Sequence, residues 1–457
     1  MSWLHRDQCR CRFSRSTHER KSVKDLLFVN ASQVVTCAGP ARARKGEEMR
    51  DAGILKNIAV AVSNGRIAAI GGARDLQDAY AGAEVVDCKG GVLTPGLVDS
   101  HTHAVFGKPR FEEHELRAAG YDYMAIANQG GGIHASVRDF RARSEQELYD
   151  LAVPRVMELA AYGTTTLEIK SGYGLSVEDE IKALRVIGRL AERLPVRIVA
   201  TWLGAHEIPQ DYRTSEARRG EFIDLLIKEM LPRVVAQGIA RFADVFCEAG
   251  VFTIEETRRI LKASRTAGLG LKLHADELKP CGGAELAASL GAVSADHLAA
   301  ITEKGIAALA NSATVATLLP GTMLFLGKPK QAPARALIDA GAAVALATDF
   351  NPGTSPTVNF PLMLTLGVSQ LRMSLAEALT AATVNGAAAL GLADDTGQIA
   401  PGFCADLALF AIDDARELPY WYGARLCVGT WRAGAPCHPY ETGSKLNARF
   451  PEILLPG

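Results

Sequence analysis

Val92-Leu93-Thr94-Pro95-Gly96-Leu97-Val98-Asp99-Ser100-His101-Thr102-His103 is an apolar run ending in two histidines one residue apart. Side chains alternate across a strand, so residues two apart share a face. Both imidazoles therefore reach one point beyond the strand's end. His274 follows a similar run, Gly268 to Leu273, and Asp349 follows another, Ala342 to Thr348. Three ring nitrogens and a carboxylate oxygen, at the tails of separate buried strands, form a ligand set for a divalent metal ion. An aspartate closing an apolar strand needs a partner, because an isolated buried carboxylate is very costly. A cation held by the histidines supplies one.

Working outward, the run before His101 is the first of eight apolar segments. The others are Thr164–Ile169, Val196–Thr201, Phe242–Phe246, Leu269–Leu273, Ala292–Ala295, Ala313–Leu318 and Ala342–Ala347. Amphipathic helical patterns separate them, such as Glu145–Ala161, Val177–Arg193 and Ile254–Ala267. Strands alternating with helices call for a parallel sheet, and eight such units are the count for a closed barrel. A doubly wound open sheet is the alternative. It is weakened by polar candidates at the ends of at least five strands, which a barrel gathers round one axis.

Both ends of the chain read differently. Leu26–Val29, Ile58–Val62 and Arg66–Ile70 are short β-type runs, and Ser63-Asn64-Gly65 between the last two is a hairpin signal. The tail offers Ala405–Phe410 and Arg425–Trp431. The expected fold is α/β: a (β/α)8 TIM-type barrel over residues 93–395, with a small β-sandwich domain built from both termini, 23–92 and 396–457. Residues 1–22, Arg-rich and without a secretory apolar segment, are expected to be a disordered leader.

Composition narrows the function classes. Hydrophobic residues make up 48% and charged residues 22% of the 457, with a net charge of −1, so nothing in the charge favours nucleic acid or an anionic membrane. No apolar run approaches the ~20 residues of a membrane-spanning helix. Nine cysteines without a repeating spacing read as reduced thiols, which points to the cytoplasm. Cys9 and Cys11 have no second pair to complete a zinc site.

Of ten histidines, His5, His18, His114, His134 and His438 lie in the leader, polar stretches or the tail. His101, His103, His206, His274 and His297 all sit at or just beyond strand ends. Glu277, three residues after His274, can lean over a metal-bound water or a polar substrate group. His297 is either a second-metal ligand or a substrate-polarising acid; a carboxylate–imidazole pair beside a metal suits general acid–base work. Arg110, Tyr173, His206 and the stretch Asn351-Pro352-Gly353-Thr354 lie in loops after strands and form a candidate recognition group. Arginine's planar fork binds a carboxylate bidentately. Gln129-Gly130-Gly131-Gly132-Ile133 lacks the strand–helix context of a nucleotide loop.

These residues resemble the amidohydrolase superfamily, through Pro95-Gly96-Leu97-Val98-Asp99-Ser100-His101-Thr102-His103, then His274, His297 and Asp349. Further motifs are Ala104-Val105-Phe106-Gly107, the glycine cluster at 129–133, Tyr162-Gly163-Thr164-Thr165-Thr166 and Lys170-Ser171-Gly172-Tyr173-Gly174. Others are His274-Ala275-Asp276-Glu277, Ser294-Ala295-Asp296-His297-Leu298, Leu319-Pro320-Gly321-Thr322 and Ala347-Thr348-Asp349-Phe350-Asn351-Pro352-Gly353. Together they resemble the branch that opens an imidazolone ring in histidine breakdown, over about residues 24 to 440. The resemblance implies hydrolysis of the cyclic amide of 4-imidazolone-5-propanoate to N-formimino-L-glutamate. It implies one zinc or iron on His101, His103, His274 and Asp349. It places substrate contacts on Arg110, Tyr123, Tyr173, His206, Glu277, Asn351, Gly353 and Thr354, and it implies a homodimer. Glu277, His297 and Asp349 are the expected catalytic groups, with proton transfer undivided between Glu277 and Asp349. Lys170 corresponds to no ligand in this reading, and the site is expected to be mononuclear.

Overall fold

Gly96 divides the opening run into two strands that serve different layers. A computed structural model describes residues 24–121 and 131–438. The leader, Cys9, Cys11 and Tyr123 lie outside the described residues. Val92–Pro95 pairs in a six-stranded sheet, while Leu97–Asp99 opens the barrel. A Cβ on Gly96 would come within 2.1 Å of Thr165 Oγ1, so only glycine lets the two layers meet there. Val92–Pro95 thus runs across the expected 92/93 boundary.

The barrel strands are β1 (Leu97–Asp99), β2 (Thr164–Lys170), β3 (Arg197–Ala205) and β4 (Phe242–Cys247). They continue as β5 (Gly270–Ala275), β6 (Ser294–His297), β7 (Val315–Leu318) and β8 (Val344–Leu346). All eight pair in chain order and in parallel. The sheet closes just past the ends of β1 and β8. There the Asp349 amide donates to His101 O at 3.0 Å, and the His103 amide donates to Phe350 O at 2.8 Å. Open-sheet topology is thereby excluded. Helices cover the outside, and their starts follow capping chemistry. Ser144 with Glu147 caps Glu145–Ala161, Ser176 caps Val177–Arg193, and Thr253 with Glu256 caps Ile254–Thr266.

Two further sheets draw on the ends of the chain. Four strands (Leu26–Val29, Ala59–Ser63, Arg66–Gly71, Glu84–Asp87) form one. The second joins Gln33–Val35, Ile54–Leu55 and Val92–Pro95 to Leu407–Phe410, Cys427–Arg432 and Ala435–His438. Their facing sides share one apolar core that includes Phe28, Val60, Leu93, Leu409 and Trp431, with Phe28 edge-on to Trp431 at 4.9 Å. The hairpin at 63–66 forms as expected, with Asn64 and Gly65 at φ of 50° and 75°.

Candidate metal centre and active site

The barrel's closing seam builds the centre of the site. Extended backbone carries His101 and His103 past β1 and keeps both rings on one side. His101 Nε2 and His103 Nε2 are 3.3 Å apart, and each is 3.5 Å from Asp349 Oδ1. Donors ~2.1 Å from a tetrahedral ion lie about 3.4 Å from one another, so the triangle has the size of one coordination face. The rings are at most 3% exposed. Burial first, then the surrounding cations and rings, holds both histidines well below their ordinary pKa, which keeps lone pairs available. Asp349 adopts φ 52°, which turns its carboxylate into the barrel. Thr322 Oγ1 donates to its other oxygen at 2.6 Å. Burial pushes the Asp349 carboxyl up to about 6, against the pull of Thr322 and His274.

His274 and His297 come from neighbouring strands. Register pairs His274 with Asp296 and Ala275 with His297. Strand alternation would send His297 away from the axis. Its φ of 79° swings it back, and its ring centroid lies 5.2 Å from that of His274. One nitrogen each from His101, His274 and His297 falls within 4.8 Å of the others. Both ring nitrogens of His274, Nδ1 and Nε2, are buried with no hydrogen-bond partner. Such an orphaned lone pair, 4.5 Å ring to ring from His101, is a donor in want of an acid. Glu277 Oε2 lies 3.6 Å from His297 Nε2. Burial, then Asp349 and Glu248, pushes the Glu277 carboxyl up to about 8. Glu248 holds the loop in place by accepting from the amides of Glu277, Leu278 and Lys279 at 3.0–3.1 Å.

The recognition candidates form the wall. His206 stacks on His103 at 5.1 Å with its Nδ1 3.0 Å from Gly172 O. Burial, then His274, pushes it down to about 3. Tyr173 is buried, 5.6 Å ring to ring from His206. Arg110, 12% exposed at the side chain, has a buried Nε with no hydrogen-bond partner. Its guanidinium lies against Gly353, where a Cβ would come within 1.3 Å of Nη2. Asn351 behaves differently. Its Nδ2 donates to Asp349 O and Thr354 Oγ1, and its Oδ1 accepts from the Gly353 and Thr354 amides, all at 2.7–2.8 Å. Asn351 and Thr354 therefore shape the loop that carries Asp349 and Gly353.

Beneath the histidines lies a charged layer that sequence reasoning left largely unread. Lys170 Nζ sits 2.7 Å from Asp244, 2.9 Å from Glu168 and 3.5 Å from Asp296. Lys272 Nζ sits 2.9 Å from Glu168 and donates to Ser100 O at 2.9 Å. Thr201 also donates to Glu168. All five charged side chains are buried. Burial alone would lower the Lys170 pKa, but Asp244, Glu168 and Asp296 outweigh it and raise it. Carbamylation needs a neutral amine, so Lys170 is held in the form that cannot take carbon dioxide. His101, Glu168 and Asp296 also lie close enough to share an ion, but the two ammonium groups already serve these carboxylates. The only hint in the sequence was polar residues at alternate positions of otherwise apolar strands.

Fold and site together define a metal-dependent hydrolase built on a (β/α)8 barrel. The amidohydrolase family model matches residues 92–435. The imidazolonepropionase of Geobacillus kaustophilus is 47% identical over 406 residues, covering 88% of this chain and 95% of that protein. That of Symbiobacterium thermophilum is 46% identical over 403 residues, covering 87% and 94%. The crystal structure of a zinc-bound adenosine deaminase from Xanthomonas campestris shares the fold, with a TM-score of 0.67 at 22% identity, covering 93% of this chain and 97% of that one. The chain belongs to the amidohydrolase family and, within it, to the imidazolonepropionases.

Proposed function

We propose that His101, His103, His274 and Asp349 hold one cation, zinc or iron, and that the protein hydrolyses the cyclic amide of 4-imidazolone-5-propanoate to N-formimino-L-glutamate. The observation that carries this reading is the triangle of His101 Nε2, His103 Nε2 and Asp349 Oδ1, with edges of 3.3–3.5 Å, beside the orphaned Nε2 of His274. Nitrogen and carboxylate donors suit zinc or iron. When bound, such an ion supplies Lewis acidity and makes water a nucleophile near neutral pH.

The chain's own groups do the rest. Arg110, whose Nε lies 3.6 Å from Glu113 Oε2 without a hydrogen bond, grips the propanoate tail with its guanidinium, with Tyr173, His206 and the Gly353 backbone fixing the ring's position; Tyr123 belongs to the same contact set. His297, aimed at the axis, donates to the ring carbonyl oxygen as charge develops there. Glu277, or Asp349, takes a proton from the attacking water and delivers it to the leaving ring nitrogen.

Ring opening of imidazolone propanoate should be rapid, whereas guanine and cytosine should not be deaminated. The reverse preference would overturn the substrate assignment. We further propose a cytoplasmic homodimer. All seven cysteines among the described residues are free thiols, as a reducing compartment favours, and no helix there is long and apolar enough to cross a membrane.

A further inference from the structure

We infer that Asp296 and Asp244, tied together by Lys170, are positioning residues that set which nitrogen of His101 and His274 faces the cation. The inference rests on the cation reading above. Asp296 Oδ2 lies 2.7 Å from His101 Nδ1. A carboxylate accepts only, so Nδ1 carries the proton and Nε2 presents its lone pair to His103 and Asp349. Asp244, on β4, faces the His274 ring at contact distance, without the aligned hydrogen bond that Asp296 makes to His101. Its Oδ2 is 2.9 Å from the ring Nδ1, and its Oδ1 accepts from the His274 amide at 3.2 Å. One carboxylate thus holds the backbone of that residue and lies against its ring.

These two acids stand on different strands, yet one ammonium reaches both. Lys170, on β2, is 2.7 Å from Asp244 and 3.5 Å from Asp296. Its ion pairs go to the carboxylates of this layer, not to the four proposed ligands. Its charge offsets the burial cost of two carboxylates that lie against imidazoles. Lys272 completes the layer from β5 by neutralising Glu168. Outer carboxylates of this kind commonly change metal affinity 10- to 100-fold when lost.

The test is zinc binding to metal-free protein by competition with a chromophoric chelator, together with the visible spectrum of the cobalt-loaded form. Wild type, Asp296→Asn, Asp244→Asn and Lys170→Met are compared, with melting curves of the metal-free proteins as control. Asparagine keeps the shape but can turn an amide donor toward the ring, which favours the wrong tautomer. We expect zinc affinity to fall roughly 10- to 100-fold in each asparagine variant, an altered cobalt spectrum, and a similar loss in Lys170→Met. If Lys170→Met fails to fold, the two near-isosteric variants decide. Wild-type affinity and spectrum in both, whatever their melting temperatures, would overturn the inference. No zinc binding by the wild type would instead overturn the cation reading itself.

Discussion

Gly353 packs its α-carbon against the guanidinium of Arg110, so closely that a methyl group there would fall within 1.3 Å of Nη2. The loop after β8 thereby sets the position of a side chain from the loop after β1. This contact ties the expected carboxylate clamp to the strand that carries Asp349.

Arg110→Ala should raise KM for imidazolone propanoate with little change in kcat. A charged hydrogen-bonded contact is worth about 1.5–3 kcal/mol, or roughly 10- to 100-fold. Gly353→Ala should show the same pattern, because the flexible guanidinium is displaced while the backbone stays. Steady-state kinetics on both variants check this, and an unchanged KM in Arg110→Ala would remove the clamp.

Glu277 sets a pH dependence. Burial, then Asp349 and Glu248, raises its carboxyl to about 8. A proton acceptor must be ionised, so kcat/KM should climb as pH rises through that ionisation. A cation nearby favours the charged form and brings the limb below pH 8. Glu277→Gln should lose about 10²–10⁴ in kcat together with that limb. A rate profile identical to wild type would reassign the proton transfer to Asp349.

Chelation should abolish ring opening, and zinc or iron should restore it. Because the ion binds the folded site, its removal should also lower the melting temperature. Ligand at a hundred times its dissociation constant contributes about 2.7 kcal/mol of stability. Elemental analysis before and after chelation, paired with calorimetry, measures both effects.

Gly96→Ala tests the junction between layers. The added methyl would overlap Thr165, with its Oγ1 at 2.1 Å. Overpacking of this kind costs about 1–3 kcal/mol. Denaturant unfolding should show that loss, and full stability would mean the two strands separate more freely than their packing indicates.

Much of this protein is legible from neighbouring residues alone. Helices 145–161 and 177–193 begin and end where their periodicity and caps place them, and the Asn64-Gly65 turn forms where its dipeptide requires. The convergence of His101, His103 and His274 follows from strand alternation and the strand-tail position of each. Other features depend on contacts between distant segments. The positive φ of His297 and Asp349 reverses the direction that alternation assigns their side chains. Thr322, in the short helix Pro320–Phe325 after β7, reaches Asp349 only once the barrel has closed. Lys170 and Lys272 read locally as polar residues in apolar strands, and Asp244 and Asp296 are separated from them by whole helices. Periodicity and capping act over one turn or one pleat, so the chain encodes them locally. Which nitrogen meets which carboxylate is set by register and ring closure, and those exist only in the folded barrel.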